Sequence, residues 1–231
     1  MVEMQVLWLG RREYREVWSL QRELAARRLE GAIPDTLLLL EHPPTITLGR
    51  AARREHLVAT PEQLEREGIA VVESDRGGDV TYHGPGQLVG YPILNLREPP
   101  HTADLHGYLR QLEECLIQAL ADYGIRADRF PGYTGVWAGG KAGSERPPEK
   151  IAAIGVKASR WITMHGFALN VCPNLAHFDL IVPCGIHDYG VTSMTRLLHR
   201  EIEVEAVTPV VASSFASVFG FPPTPITARV F

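Results

Sequence analysis

Arg76–Gln87, RGGDVTYHGPGQ, crowds four glycines, two charged residues, a histidine and a proline into twelve positions, between the apolar runs Ile69–Glu73 (IAVVE) and Leu88–Leu96 (LVGYPILNL). An ordinary connection needs about two to five residues, and a hairpin needs one or two glycines. The whole stretch therefore asks for more than a turn. Gly77 and Gly78 remove side-chain bulk that would keep a ligand from the backbone amides. Arg76 adds a fixed positive charge, and Tyr82 and His83 add tunable polar contacts. The pattern is a loop, set between two strands, that can hold an anion or orient a carbonyl.

Working outward, strands and helices arrive irregularly. Gln5–Leu9, Thr36–Glu41, Thr45–Leu48, Leu88–Leu96, Ile125–Phe130, Thr134–Ala138, Lys150–Val156, Trp161–Met164 and Gly166–Val171 read as strands, and Leu180–Val182 leads into Pro183-Cys184-Gly185. Pro92 has no amide hydrogen, which points to an edge strand or a bulge. Tyr14–Leu29 and Thr102–Tyr123 carry apolar stripes at helical spacing, closed by Gly31 and Gly124. Thr60-Pro61-Glu62-Gln63 starts a short helix with a capping pattern. Thr192–Leu198 reads as a short helix, Glu201–Glu205 as a strand, and Thr208-Pro209 as the start of a last helix ending at Gly220. Runs of strands with helices set beside them predict an α+β fold with a mixed sheet. Arg50, Arg53 and Arg54 read first as a solvated basic loop, with contact to an acidic partner as the lesser option.

The chain has 231 residues, 45% of them hydrophobic and 22% charged, with net charge −4. That suits one large domain with a full core and speaks against nucleic-acid binding, which needs a basic surface. Three scattered cysteines, Cys115, Cys172 and Cys184, form no CxxC pair and read as reduced thiols in a cytoplasmic protein. No apolar run is long enough to span a membrane, and MVEMQVLWLGRR does not read as a signal peptide.

Chemistry concentrates in two further segments. One is Lys150–Gly155 (KIAAIG), continuing to His165–Asn170 (HGFALN); the other is Pro183-Cys184-Gly185-Ile186. A cysteine between proline and glycine sits on a tight turn. A nearby ammonium lowers its pKa from the usual value of about 8.5, and the same lysine, once neutral, can take a proton from an attacking amine. A Lys–Cys pair can thus run acyl transfer without a metal or nucleotide. By spacing alone Lys157 competes with Lys150, and a lone cysteine is as readily a small core residue. Cys115, inside a helix, reads as packing. The nine histidines show no metal-ligand spacing.

RGGDVTYHGPGQLVGYPILNL, KIAAIGV with HGFALNV, and VPCGI, in this order, resemble the lipoyl(octanoyl) transferases, the lipoate–protein ligase B family. The likeness runs from EHPPTITLGR to the helix after VPCGI. It implies a biotin/lipoate protein ligase catalytic domain, class II aminoacyl-tRNA synthetase-like, forming one unit over 1–231 with room for a small subdomain from about 190. It implies transfer of octanoyl from octanoyl-acyl-carrier protein to a lysine of lipoyl domains, in 2-oxo-acid dehydrogenase E2 subunits or the glycine-cleavage H protein, by a monomer needing neither ATP nor metal. Cys184 would be the nucleophile and Lys150 the residue that lowers its pKa and serves as base; Lys157 falls where the family tolerates arginine. Arg76, Gly77, Gly78, Asp79, Val80, Thr81, Tyr82 and His83 would line the acyl pocket with Ala153, Ile154, Gly155, Gly166, Phe167 and Ala168. Ile93, Leu94 and Phe167 would sheathe the chain. The stretch AGGKAGSERPPE before Lys150 looks longer than usual. The rivals are an ATP-dependent ligase on the same fold, which needs no cysteine, and a non-catalytic binder of acyl-carrier or lipoyl domains.

Overall fold

The run Leu37–Leu40 is buried on both sides of a sheet, which is why it is continuously apolar rather than alternating. The computed structural model describes residues 4–140, 147–182 and 189–228. Its elements in chain order are β1 (Met4–Arg11), α1 (Tyr14–Leu29), β2 (Asp35–Glu41), β3 (Thr45–Leu48), α2 (Pro61–Arg66), β4 (Ala70–Glu73), β5 (Val80–His83), β6 (Gln87–Ile93) and α3 (Leu105–Asp122). Then follow β7 (Ala127–Phe130), β8 (Tyr133–Ala138), β9 (Glu149–Ser159), β10 (Ile162–Asn170), α4 (Met194–Leu198), α5 (Val204–Phe219) and β11 (Ile226–Ala228).

The large sheet runs β11-β1-β2-β6-β10-β9-β8-β7, parallel at β11-β1-β2 and antiparallel from there on. Leu38 and Leu40 face α1, packing with Val17 and Leu24. Leu37 and Leu39 face α3 and α5, packing with Leu112, Leu116, Val211 and Phe215. A second sheet, β4-β3-β5, carries the glycine loop at one end and has its own small core of Ile46, Val80, Tyr82, Phe178 and Ile181.

Local signals survive intact. Thr60 accepts from the Gln63 amide and Gln63 Oε1 accepts from the Thr60 amide, the reciprocal cap expected of that tetrapeptide. Two expectations are corrected. The strand carrying Pro92 is central, not an edge; Pro92 lies beyond the last regular β6–β10 pair, Gly90–Phe167, where Thr163 Oγ1 takes the Pro92 carbonyl at 2.7 Å. Residues 201–205 are not a strand, because α5 begins at Val204 with Pro209 inside it. The amide that Pro209 lacks would have met the Glu205 carbonyl, and the Thr208 hydroxyl serves that carbonyl instead at 2.7 Å. The segment that leads toward Cys184 follows a 3-10 turn (Leu175–Leu180), and Ile181 forms an isolated bridge to Leu57.

Gly90 is required by close approach. A Cβ there would run into the ring of Phe167, the residue paired with it on β10. Gly90→Ala is expected to cost about 1–3 kcal/mol through overpacking, read as a lower urea midpoint.

Candidate active site

The glycine loop is folded around the Arg76 guanidinium. Nε donates to Thr47 Oγ1 at 3.0 Å, Nη2 to the carbonyls of Thr47 and Asp79 at 2.6 Å each, and Nη1 to the Gly77 carbonyl at 3.0 Å. Arginine's planar array of donors can serve several acceptors at once, which a lysine cannot match. Gly49 leaves the space: a Cβ there would lie 2.7 Å from Arg76 Nη1. The loop is pinned to β9 by the Gly77 amide, which donates to the Val156 carbonyl at 2.9 Å. A Cβ on Gly155 would stand 2.8 Å from the Gly77 carbonyl. The Gly77 amide is therefore occupied by β9 rather than offered to a ligand, as the glycine pattern alone suggested.

Strand alternation divides the rest of the motif. Thr81 and His83 point into a cavity. Val80 and Tyr82 point the other way, into the core of the small sheet, where the Tyr82 hydroxyl meets His177 Nδ1 at 2.7 Å. Arg76, Gly78 and Asp79 reach the cavity; Gly77 does not line it. Ala153, Ile154 and Gly155 of β9 form one wall and Gly166, Phe167 and Ala168 of β10 another. Ile93 and Leu94 do not line it; they lie in the cores under α1 and under α3 and α5 respectively.

Three lining residues were not among those expected to line the pocket: Tyr14, Tyr91 and His165. With His42 they form a buried aromatic floor. Tyr14 stacks on His83 at 5.9 Å between ring centroids, and His42 meets His83 at 5.8 Å. His42 Nδ1 donates to the Arg12 carbonyl at 2.6 Å, and Nε2 lies 2.9 Å from the Tyr91 hydroxyl. Burial pushes His42 down to about 4. His83 is also held well below its usual range, by burial and then by the neighbouring His42 and Arg76. Its Nδ1 faces Gln87 Oε1 at 2.8 Å, which assigns that nitrogen the proton.

This floor implies acid lability. An unfolded His42 takes up a proton near 6.5 and the folded one only near 4, so the unfolded state binds more protons between those values. Stability from this group is complete above 6.5 and is lost as pH falls toward 4, by about 3 kcal/mol over the window. The urea midpoint should fall from pH 7 to pH 5, and His42→Gln should flatten that slope.

The two lysines of β9 have separate surroundings. Lys157 donates to Asp75 Oδ2 at 2.6 Å, while Asp75 Oδ1 accepts from His165 Nε2 at 2.7 Å. Burial works against the Asp75 charge, yet these two bonds hold its pKa below the usual range. Lys150 is 6% exposed, with Nζ 4.9 Å from the centroid of the Trp137 ring. Its amide donates to the Gly190 carbonyl at 2.9 Å and its carbonyl accepts from the Thr192 amide at 3.0 Å. A chain of buried polar groups ties this end to the cavity floor. Gln87 Nε2 donates to Asn170 Oδ1 at 2.9 Å, and Asn170 Nδ2 donates to the Thr192 carbonyl at 3.0 Å. Cys184, with Pro183 and Gly185–Asp188, lies outside the described residues, as do residues 141–146 of the loop before Lys150. Among the described residues, no group of His, Cys, Asp and Glu is placed to hold a metal ion.

The family model described as the lipoyl protein ligase A/B catalytic domain matches residues 13–216. A relative from Rubrobacter xylanophilus, named octanoyltransferase, is 54% identical over 215 residues, covering 92% of this chain and 92% of its own. One of the same name from Chloroflexus aggregans is 52% identical over 219 residues, covering 94% and 96%. The octanoyltransferase of Myxococcus xanthus, 53% identical over 211 residues and 91% of this chain, is longer, and the match spans 58% of it. Among solved structures, lipoate-protein ligase A bound with ATP aligns with TM-score 0.77 and 15% identity, over 99% of this chain and 90% of its own. A bi-partite lipoate protein ligase from Thermoplasma acidophilum aligns with TM-score 0.74 and 16% identity, over 100% and 88%. The structural likeness is one of fold, the mixed sheet flanked by helices expected from the sequence. Taken with the sequence matches, it shows that the chain belongs to the lipoyl protein ligase A/B catalytic-domain family.

Proposed function

We propose that the chain is an octanoyltransferase that moves an octanoyl group from octanoyl-acyl-carrier protein onto Cys184, and from there to a lysine of an apo-lipoyl domain. The reading is carried by relatives of that name at 54% and 52% identity over nearly the whole of both chains. Two features of the site support its chemistry. Of the three cysteines, Cys115 is buried and its thiol is pushed up by burial. Cys172 is also raised, by burial and then by surrounding carboxylates, which leaves Cys184 as the candidate nucleophile. Lys150 is bonded through its backbone to Gly190, six positions beyond Cys184, whereas Lys157 is held by Asp75 farther along β9.

In the proposed sequence the Cys184 thiolate, favoured by the Lys150 ammonium, attacks the donor thioester carbonyl. The bond to Cys184 Sγ forms, the bond to the carrier sulfur breaks, and the leaving thiolate takes a proton from Lys150. The neutral Lys150 then takes a proton from the attacking acceptor amine as the amide forms and Cys184 leaves as thiolate. Lys150 ends as it began. A thioester supplies enough free energy for an amide, so this route consumes no nucleotide. The acyl chain would lie against Phe167, Ile154 and Ala168, with its far end toward the Tyr14, Tyr91 and His165 floor.

The test is transfer to an apo-lipoyl domain from octanoyl-acyl-carrier protein, with nucleotide removed by apyrase. A domain heavier by one octanoyl group supports the reading. Modification seen only with free octanoate and ATP would make the chain a ligase.

A further inference from the structure

The stretch Gly49–Val58, GRAARREHLV, is not used by the chemistry above, yet it is built onto the site. The Gly49, Arg50 and Ala51 amides donate to the carbonyls of Asp79, Arg76 and Gly78 at 3.2, 3.0 and 3.0 Å, and those three residues line the cavity. From its other end, the His56 carbonyl accepts from the Val182 amide at 2.8 Å, and Leu57 bridges Ile181. The stretch thus borders both the cavity rim and the chain that leads toward Cys184.

Its charge is one-sided. Arg50, Arg53 and Arg54 are all exposed. Arg53, with a side chain 71% exposed, meets only the equally exposed Glu55, at 3.6 Å, and such a pair holds little energy. Arg50 and Arg54 form no ion pair among the described residues. Asp79, which borders the stretch, is turned inward: it accepts from the Arg53 and Val80 amides and contacts the His56 ring. Within Gly49–Val58 three cations stand against one carboxylate, Glu55, in a chain whose net charge is −4. Beside them Val58 is 56% exposed, more than any other large hydrophobic residue described. An apolar spot with a rim of one charge sign is the make-up of a docking surface for a partner of opposite charge.

We propose that Arg50, Arg53, Arg54 and Val58 dock an acidic face of the protein that delivers the acyl thioester, seating it over the cavity mouth. The proposal rests on the transferase reading and adds where the donor sits. Its chemistry is an acidic protein surface, as distinct from the phosphate of a small thioester donor and from the acceptor domain.

The test is steady-state kinetics of Arg50→Glu/Arg53→Glu/Arg54→Glu. Three donor–acceptor settings are compared: octanoyl-acyl-carrier protein, octanoyl-coenzyme A, and octanoyl-pantetheine, which has no phosphate. The expected result is KM for the carrier protein raised about tenfold or more, with kcat at saturation and all constants for both small donors unchanged. Salt should raise the carrier KM of the unaltered protein but not of the variant. An unchanged carrier KM would overturn the proposal. So would an equal loss with octanoyl-pantetheine, which makes the loop a shaper of the site, a loss confined to octanoyl-coenzyme A, which makes it a phosphate site, or a rise in acceptor KM alone. If the unaltered protein makes no octanoyl domain from any thioester, it is the transferase reading that fails.

Discussion

Replacing Cys184 with alanine is expected to lower octanoyl transfer by about 10⁴-fold or more, with the unfolding free energy changed by no more than a few tenths of a kcal/mol. The other two thiols cannot substitute. Cys115 is enclosed in the core beneath α3, with Sγ 3.7 Å from the Val211 carbonyl. Cys172 is accessible but has a raised pKa, and only the thiolate reacts. Cys184→Ser should be nearly as inactive, because an alcohol is not ionised by a neighbouring ammonium to any useful degree. Circular dichroism and a denaturation curve of each variant separate lost chemistry from lost fold. Substantial activity in folded Cys184→Ala would remove the covalent mechanism.

Lys150→Arg is expected to split the two halves of the reaction. In the proposed mechanism arginine would keep the positive charge that favours the Cys184 thiolate, but it never deprotonates at working pH. The first half, acylation of Cys184, should survive within about tenfold, because the carrier thiolate can leave to solvent without the proton Lys150 would give it. The second half needs a group that can accept the amine proton, and should fall by about 10²–10⁴-fold. A rapid-quench experiment with octanoyl-acyl-carrier protein would then show an acyl-enzyme that forms and persists after an apo-lipoyl domain is added. Lys150→Met, which removes the charge, should slow acylation too, with the rate rising as pH is raised toward the ordinary thiol range. Lys157→Arg should do neither, since Asp75 is its partner.

What was legible in the sequence was what is local. The helix stripes of α1 and α3, the cap at Thr60 and the leucine run of β2 each follow from residues within one or two turns of one another. The glycine motif was legible as a unit because backbone constraints concentrate glycines in one place, yet its geometry was not. Nothing in RGGDVTYHGPGQ says that Arg76 folds inward to serve carbonyls of its own loop and of β3. Nor does it say that the Gly77 amide is taken by Val156, or that β5 sends Val80 and Tyr82 away from the cavity. The last follows from strand period once the strand is known. The floor was hidden for a different reason. Tyr14 reads as an ordinary stripe residue of a helix, Tyr91 as an ordinary strand residue and His42 as part of a proline break. They meet only because α1, β2 and β6 converge at one end of the sheet. The separate small sheet and the course of α5 through Pro209 depend on partners far along the chain, which a local pattern does not encode.

The covalent intermediate is the centre of the account, and intact-protein mass spectrometry tests it most directly. The protein is mixed with octanoyl-acyl-carrier protein in the absence of nucleotide, quenched in acid, and mapped by peptide. The expected result is one octanoyl group on Cys184, lost on hydroxylamine treatment as a thioester should be, and lost equally when an apo-lipoyl domain is added before the quench. Octanoylation of the domain with no modified Cys184 at any time point, in Lys150→Arg as in the unaltered protein, would contradict it and leave direct transfer between the two partners.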